Sequence, residues 1–90
     1  MPDFEEIGRA IGKIVAEKNI AYGNSFAECG KILRIYYPDG VRPDQYDDML
    51  LISRIIDKQF RIANRKNAFG ESPYKDIAGY GICGASLEKK

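Results

Sequence analysis

The sequence predicts an all-α protein, a compact antiparallel bundle of about four helices that associates with copies of itself. Apolar residues recur at spacings of three and four in the first segment, the period of an amphipathic helix, and cover about half of the circumference of the third, while capping signals open the second and the fourth. Turn-forming residues separate the segments, and short connections of this kind place consecutive helices antiparallel. Ninety residues suffice for one core, so we expect a single helical domain over residues 1–90.

The first helix is predicted from Asp3, a suitable N-cap, to Lys18. Its apolar residues share one face: Phe4, Ile7, Ile11, Ile14 and Val15. Gly8 and Gly12 lie in the interior of this helix, where each costs about 1 kcal/mol relative to alanine. Such a cost indicates that another helix packs closely there.

The second helix is predicted from Ser25 to Tyr37, with Ser25 and Glu28 forming a capping box and Pro38-Asp39-Gly40 ending the helix. The third helix is predicted to begin at Pro43 and to end at residue 64 or 65. Apolar residues cover about half of the circumference of this third helix, so we expect it to lie at the centre of the bundle.

The fourth helix is predicted from Ser72-Pro73 to residue 87 or 88 and contains Gly79, Gly81 and Gly84. Three interior glycines weaken a helix by about 3 kcal/mol. One explanation is close packing, against the glycine-bearing face of the first helix or against a second subunit. The other is a ligand that approaches the backbone while Tyr74 and Tyr80 stack on it.

A charged seam follows one face of the third helix. It consists of five side chains at spacings of three and four: Arg54, Asp57, Lys58, Arg61 and Arg65. The seam is either a solvated face with weak i,i+4 ion pairs, or a clamp for a phosphate or pyrophosphate. In the second interpretation Asp57 holds an arginine in place, and Lys75 adds a cation from the fourth helix.

Composition excludes several kinds of site. With no histidine, one chain cannot form a Ser-His or Cys-His catalytic pair, and Cys29 and Cys83 are too few for a zinc site, so we expect reduced, packing cysteines. A net charge of +1 disfavours general nucleic-acid binding. No apolar run approaches the roughly 20 residues that span a bilayer, so we expect a cytosolic protein without membrane contact. We assign no metal, no cofactor and no catalytic residue.

Several short motifs resemble a family of small phage and prophage proteins, the nucleotide modification associated domain. They are Lys18, Tyr22-Gly23-Asn24-Ser25-Phe26, Arg54, Asp57-Lys58, Arg61 and Asp76-Ile77-Ala78-Gly79-Tyr80. The resemblance covers about residues 10–82. Such proteins look distantly similar to the all-helical MazG-like nucleoside triphosphate pyrophosphatases, which are oligomers with active sites between helices. The resemblance implies a nucleotide-type ligand, a homo-oligomer and, for a phage protein, the host cytoplasm.

The acidic clusters of MazG-like enzymes are incomplete in this chain, which favours binding over hydrolysis. We therefore expect a protein that sequesters a nucleotide or a nucleotide-derived immune signal, of the cyclic or ADP-ribose type, as an anti-defence sponge. Phosphates would be held by Arg54, Lys58, Arg61 and Lys75. Tyr74, Tyr80 or Tyr22 would stack on the base, and Asp76 would accept hydrogen bonds.

Two alternatives remain open at this point. One is a magnesium-dependent nucleotide pyrophosphohydrolase of phage nucleotide metabolism, with Glu28, Asp57, Glu71 and Asp76 as ligands. The other is an oligomeric protein-interaction module without a small ligand.

Overall fold

The computed structural model describes residues 2–88 and contains four α-helices, with no strand in that range. The helices are α1 (Phe4–Ala21), α2 (Ser25–Tyr36), α3 (Tyr46–Arg65) and α4 (Pro73–Glu88). Short 3-10 turns at Pro43–Gln45 and Ala68–Gly70 precede α3 and α4. The predicted all-α class with four helices is confirmed, whereas the antiparallel arrangement and the association with further copies stay predictions.

The start of α1 is as the sequence predicts, and its end lies further along the chain. The Asp3 carboxylate accepts a hydrogen bond from the Glu6 backbone N–H at 3.0 Å, which caps the helix. The helix continues three residues past Lys18 to Ala21, and the Tyr22 backbone N–H closes the last turn on the Lys18 carbonyl at 2.9 Å. The extension places Tyr22 directly at the end of α1.

The predicted capping box of α2 is wrong. The chain passes through left-handed conformations at Gly23 and Asn24, with φ of 60° and 62°, and this shifts the cap position to Asn24. Ser25 is instead the first helical residue and is buried, while the Glu28 carboxylate pairs with Lys31 at 2.9 Å. A left-handed turn is not visible in hydrophobic periodicity, which explains the error.

The beginning of α3 also differs from the prediction. Pro43 opens a 3-10 turn, in which the Gln45 side chain accepts a hydrogen bond from the Arg42 backbone N–H at 3.0 Å, and the α-helix starts only at Tyr46. The end at Arg65 agrees with the prediction. Helix α4 begins at Pro73 as expected, with the Ser72 hydroxyl accepting from the Lys75 backbone N–H at 3.3 Å.

Helix α3 is central, as its apolar circumference predicts, because it contacts each of the other three helices. Ile56 on α3 is buried, and so is Ala21, where α1 reaches the rest of the molecule. Gly84 of α4 faces α3, and a Cβ there would lie 3.5 Å from the Leu51 side chain. That distance is an ordinary van der Waals contact, so an alanine would fit there, and the predicted close packing of the fourth-helix glycines is not found within residues 2–88.

Helix α1 is exposed along its length up to Ile20 and is buried only at its last residue, Ala21. All residues from Phe4 to Ile20 are exposed, and a Cβ at Gly8 or Gly12 would meet nothing within 4 Å. The close packing predicted from these glycines does not occur within the part of the chain that the structure describes. The projecting helix makes the molecule long, with extents of 48 × 28 × 26 Å and a radius of gyration of 16.0 Å. Among the described helices, none is long and apolar enough to cross a membrane.

Candidate functional site

A lysine network joins three parts of the chain. It comprises Lys58 on α3, Tyr22 at the end of α1 and Asp76 in the first turn of α4. The Lys58 ammonium donates a hydrogen bond to the Tyr22 hydroxyl at 3.3 Å and lies 3.4 Å from an Asp76 carboxylate oxygen. It also lies 5.5 Å from the centroid of the Tyr22 ring. The network therefore fixes the tyrosine relative to α3 and α4.

The network also determines how Lys58 titrates. Its side chain is only 14% exposed, and this burial lowers the pKa of the ammonium. Hydrogen bonds to Tyr22 and Asp76, together with their charges, outweigh burial and raise the pKa of Lys58 above its ordinary value of 10.5. The ammonium is thus charged at neutral pH, and its charge is balanced within the chain by Asp76.

A groove lies beside this network, between the end of α1, the start of α2 and α3. Its volume is about 370 Å³, and it is lined by a mixture of aromatic, polar and charged side chains: Val15, Lys18, Asn19, Tyr22, Ser25, Phe26 and Asp57. We call it the α1–α2 groove. The Phe26 ring is 96% exposed. The Tyr22 ring stacks on Phe69 with centroids 6.5 Å apart and planes inclined by 22°.

Asp57 does not hold an arginine in place, as its position in the charged seam predicted. Instead of pairing with an arginine, it lines the groove, and it takes part in no ion pair within residues 2–88. Its charge reaches Cys29, where burial and then the Asp57 carboxylate raise the pKa of the thiol above 9.0. The groove therefore contains a carboxylate that can accept hydrogen bonds from a ligand, and its neighbour Cys29 stays a neutral thiol near pH 7.

Arg61 lies inside the molecule, not on a solvated seam. Its side chain is 0% exposed, and its Nη2 donates a hydrogen bond to the Glu71 carbonyl oxygen. Nη1 lies 3.5 Å from the exposed Glu71 carboxylate, and neither Nη1 nor Nε has a hydrogen-bond partner. In this arrangement the guanidinium offers no surface to a ligand, so its contact with the loop before α4 is structural.

The other predicted ligand-binding residues lie apart from the groove. The Arg54 guanidinium sits 5.9 Å from the centroid of the Tyr80 ring, beside a second, smaller depression of about 250 Å³. That depression is lined by Asp47, Leu50, Leu51, Arg54, Cys83, Ser86 and Leu87. Tyr74 and Lys75 are exposed near the start of α4. The structure thus brings together Tyr22, Asp57, Lys58 and Asp76, and separately Arg54 and Tyr80.

Sequence reasoning assigned no ligand-binding role to five residues of the groove: Val15, Lys18, Asn19, Ser25 and Phe26. A signal for three of them was present, because Val15, Lys18 and Asn19 stand at helical spacing from Tyr22 and therefore share its face. That face becomes visible only if the first helix is extended beyond Lys18.

Acidic side chains do not converge in the described part of the chain. In residues 2–88 no three side chains of Cys, Asp and Glu come close enough to hold a metal ion together. Two of the acids named for such a site are paired with lysines, Glu28 with Lys31 and Asp76 with Lys58.

Comparisons with family models, with curated proteins and with solved structures find no match for this chain. The function is therefore argued from the α1–α2 groove, the lysine network and the charged seam.

Proposed function

We propose that this protein binds a nucleotide-type small molecule in the α1–α2 groove and retains it without chemical change. The observation that carries this proposal is one cavity in which aromatic rings, a lysine and an unpaired carboxylate occur together. Aromatic rings can stack on a base, a lysine can bind a phosphate, and a carboxylate can accept hydrogen bonds from the base or the ribose.

The size of the groove fits a small ligand. Sites for drug-sized molecules have volumes of about 300–1,000 Å³, and the groove, at about 370 Å³, lies near the lower end of this range. One nucleotide unit fits this volume better than a long oligonucleotide, and the net charge of +1 provides no extended field for many phosphates.

Each lining residue has a specific role in this proposal. Tyr22 and Phe26 provide aromatic surface for the base, and the Asp57 carboxylate accepts hydrogen bonds from its exocyclic or ribose donors. The Lys18 ammonium binds a phosphate at the rim, and the Ser25 hydroxyl can donate or accept a further hydrogen bond.

In this proposal the charged seam does not form the phosphate site by itself. Two of its cations, Lys58 and Arg61, instead stabilise the wall of the groove. Lys58 already has Asp76 at 3.4 Å and Tyr22 at 3.3 Å, so its ammonium holds the tyrosine ring in position. Buried Arg61 holds the carbonyl of Glu71, and Phe69 in the same loop stacks on the ring of Tyr22. Both cations therefore act on the ligand through Tyr22, by keeping its ring immobile before binding.

Sequestration of a cyclic or ADP-ribose-type immune signal is the biological form of this function that the sequence resemblance implies. A sponge needs affinity and slow release, and neither requires a metal ion or a catalytic acid. Hydrolysis of the same ligand would require magnesium, so the two functions separate in one experiment.

The experiment is native mass spectrometry and calorimetry with a panel of mononucleotides, cyclic dinucleotides and ADP-ribose-type ligands, each with and without magnesium. We expect an intact ligand to be retained without magnesium. Lys18→Met should weaken binding of a phosphate-bearing ligand about tenfold, as expected for loss of one charge-assisted hydrogen bond. The corresponding nucleoside, which has no phosphate, should bind equally to both proteins.

The matched control is Lys13→Met, which removes a lysine from the same helix on the face away from the groove. It should leave affinity unchanged. Magnesium-dependent release of pyrophosphate would replace this proposal with the hydrolase, and failure of every ligand in the panel to bind would overturn it.

A further inference from the structure

Helix α1 presents a continuous apolar face that stays exposed among the described residues, 2–88. The five residues of this α1 face span an arc of about 100° at 100° per residue: Phe4, Ile7, Ile11, Ile14 and Val15. Their exposed fractions lie between 49% and 73%. Gly8 and Gly12 flank the arc with open space above them, and charged residues occupy the opposite side of the helix.

The surface area of the chain exceeds the area expected for a monomer of its mass. A monomer of 10.1 kDa is expected to expose about 5,300 Å², whereas this chain exposes 7011 Å². The difference is about 1,700 Å², and a standard interface buries about 800 Å² on each partner. The excess is therefore sufficient for a stable interface, and the five side chains of the α1 face contribute apolar area to it.

We infer that the α1 face binds the same face of a second copy of this chain, with the two helices antiparallel. Charge complementarity along the helix sets the direction. Two charged side chains lie at or beside the α1 face, the Asp3 carboxylate at its start and the Lys18 ammonium at its end. An antiparallel pair brings each Asp3 near Lys18 of the partner subunit, whereas a parallel pair would place each of these charges beside its own copy.

The apolar spacing gives the register of the pair. With the two-fold axis at Ile11, Ile7 faces Val15 of the partner subunit, and Phe4 faces Lys18 of the partner subunit, whose aliphatic stem can cover the ring. Gly8 faces Ile14 of the partner subunit. The missing Cβ at Gly8 leaves room for that side chain and gives a reason for a glycine that would otherwise only weaken the helix.

The pairing also changes the α1–α2 groove. Val15 and Lys18 belong both to the groove and to the paired surface, so Phe4 of the partner subunit comes to the groove mouth as a further wall. This consequence rests on the proposed function. The pairing itself does not, because it follows from the exposed face and the charge pattern alone.

The first test is the mass of the ligand-free, full-length protein by light scattering across micromolar concentrations. We expect at least twice 10.1 kDa for the wild type. Ile11→Asp should dissociate the pair, with a dissociation constant at least about 100-fold higher, since each copy would bury a carboxylate without a partner. Lys13→Asp places the same residue on the opposite face of α1 and should leave the mass unchanged.

Disulfide crosslinking tests the register without relying on a destabilised variant. In a background of Cys29→Ala and Cys83→Ala, Ile11→Cys should form a crosslinked dimer under mild oxidation, because the two-fold axis brings the two copies together there. Ile7→Cys alone should stay uncrosslinked, and a mixture of Ile7→Cys and Val15→Cys should give the heterodimer.

A parallel pair would instead crosslink Ile7→Cys with itself, which would overturn the antiparallel arrangement. A wild-type mass of 10.1 kDa, or an Ile11→Asp variant that keeps the wild-type mass, would overturn the pairing through α1. Nucleotide binding by a monomeric wild type would reject the pairing and leave the proposed function standing.

Discussion

Replacing buried Arg61 by methionine should leave the free energy of unfolding unchanged or raise it by about 1–2 kcal/mol. The guanidinium makes one hydrogen bond to the Glu71 carbonyl, and a hydrogen bond from a charged group contributes about 1.5–3 kcal/mol. The Glu71 carboxylate is 64% exposed, so its ion pair adds about 0–1 kcal/mol. Against this, neither Nε nor Nη1 makes a hydrogen bond within residues 2–88, although Nη1 lies 3.5 Å from the Glu71 carboxylate, and a buried donor without a hydrogen bond costs about 1–3 kcal/mol.

Methionine keeps most of the volume of the arginine stem and removes both unsatisfied donors, so the losses and gains nearly cancel. Arg61→Ala removes the same charge and also leaves a cavity, so it should destabilise the protein by about 2–4 kcal/mol. The comparison of the two variants separates the effect of the charge from the effect of packing. Arg65→Met, one turn later on the exposed side of α3, is the control and should change stability by less than about 0.5 kcal/mol.

The assay is urea unfolding followed by far-ultraviolet circular dichroism, with all variants at one protomer concentration because association changes the midpoint. A loss of more than about 2 kcal/mol in Arg61→Met would refute the reasoning, because the guanidinium would then contribute more than its single good hydrogen bond allows. Equal losses in Arg61→Met and Arg61→Ala would show that the charge matters and the packing does not.

Two further predictions concern the lysine network and the glycines. Lys58→Met should lower stability by about 1–2 kcal/mol at neutral pH, less than for a fully buried pair because Asp76 is partly exposed. Since the folded-state pKa of Lys58 is raised, this contribution to stability is fully present below pH 10.5 and disappears as the pH rises further. In urea unfolding, the stability difference between wild type and variant should therefore be constant from pH 7 to 9 and shrink above pH 10.5. A difference that shrinks below pH 9 would contradict this. Gly23→Ala should lower stability by about 1–2 kcal/mol, because φ is +60° and the new Cβ would collide with the Asn64 side chain. Gly79→Ala, with open space around it, should stabilise α4 by up to about 1 kcal/mol. Thermal unfolding measures both effects, and a stabilising Gly23→Ala would contradict the left-handed turn at this position.

The positions of the helices could be predicted from the sequence because local signals determine where a helix begins and ends. Apolar spacing located the first helix and the apolar circumference marked the third, while Asp3 and Ser72-Pro73 marked two starts and the end of α3 was predicted to within a residue. The errors occurred where backbone conformation decides. The left-handed residues before Ser25 move the N-cap of α2 to Asn24, and the 3-10 turn at Pro43 moves the start of α3 to Tyr46; neither leaves a periodic pattern.

The candidate site was harder to predict, because helical spacing specifies a face and not what covers that face. Lys58 and Arg61 belong to the same predicted seam, yet the structure gives Lys58 the partners Tyr22 and Asp76 and encloses Arg61 behind Glu71. Such pairings depend on how α4, the α1–α2 connection and the α3–α4 connection pack against α3. The paired residues are 10 to 36 positions apart in the sequence. No local pattern contains that information.

The α1–α2 groove lies at the base of the exposed α1 face. Ligand binding in the groove and pairing through α1, as proposed above, are therefore expected to affect each other's free energy. If Phe4 of the partner subunit forms one wall of the groove, the ligand contacts a surface that exists only in the pair. Thermodynamic linkage then requires that pairing raises ligand affinity by the same factor by which ligand raises pairing affinity. A sponge built in this way releases its ligand when it is diluted below the dissociation constant of the pair, and it holds the ligand most firmly when the protein is abundant. The pairing then explains an N-terminal helix that is weakened by glycines and costly to leave exposed, since its exposed apolar side chains complete the interface and the binding site together.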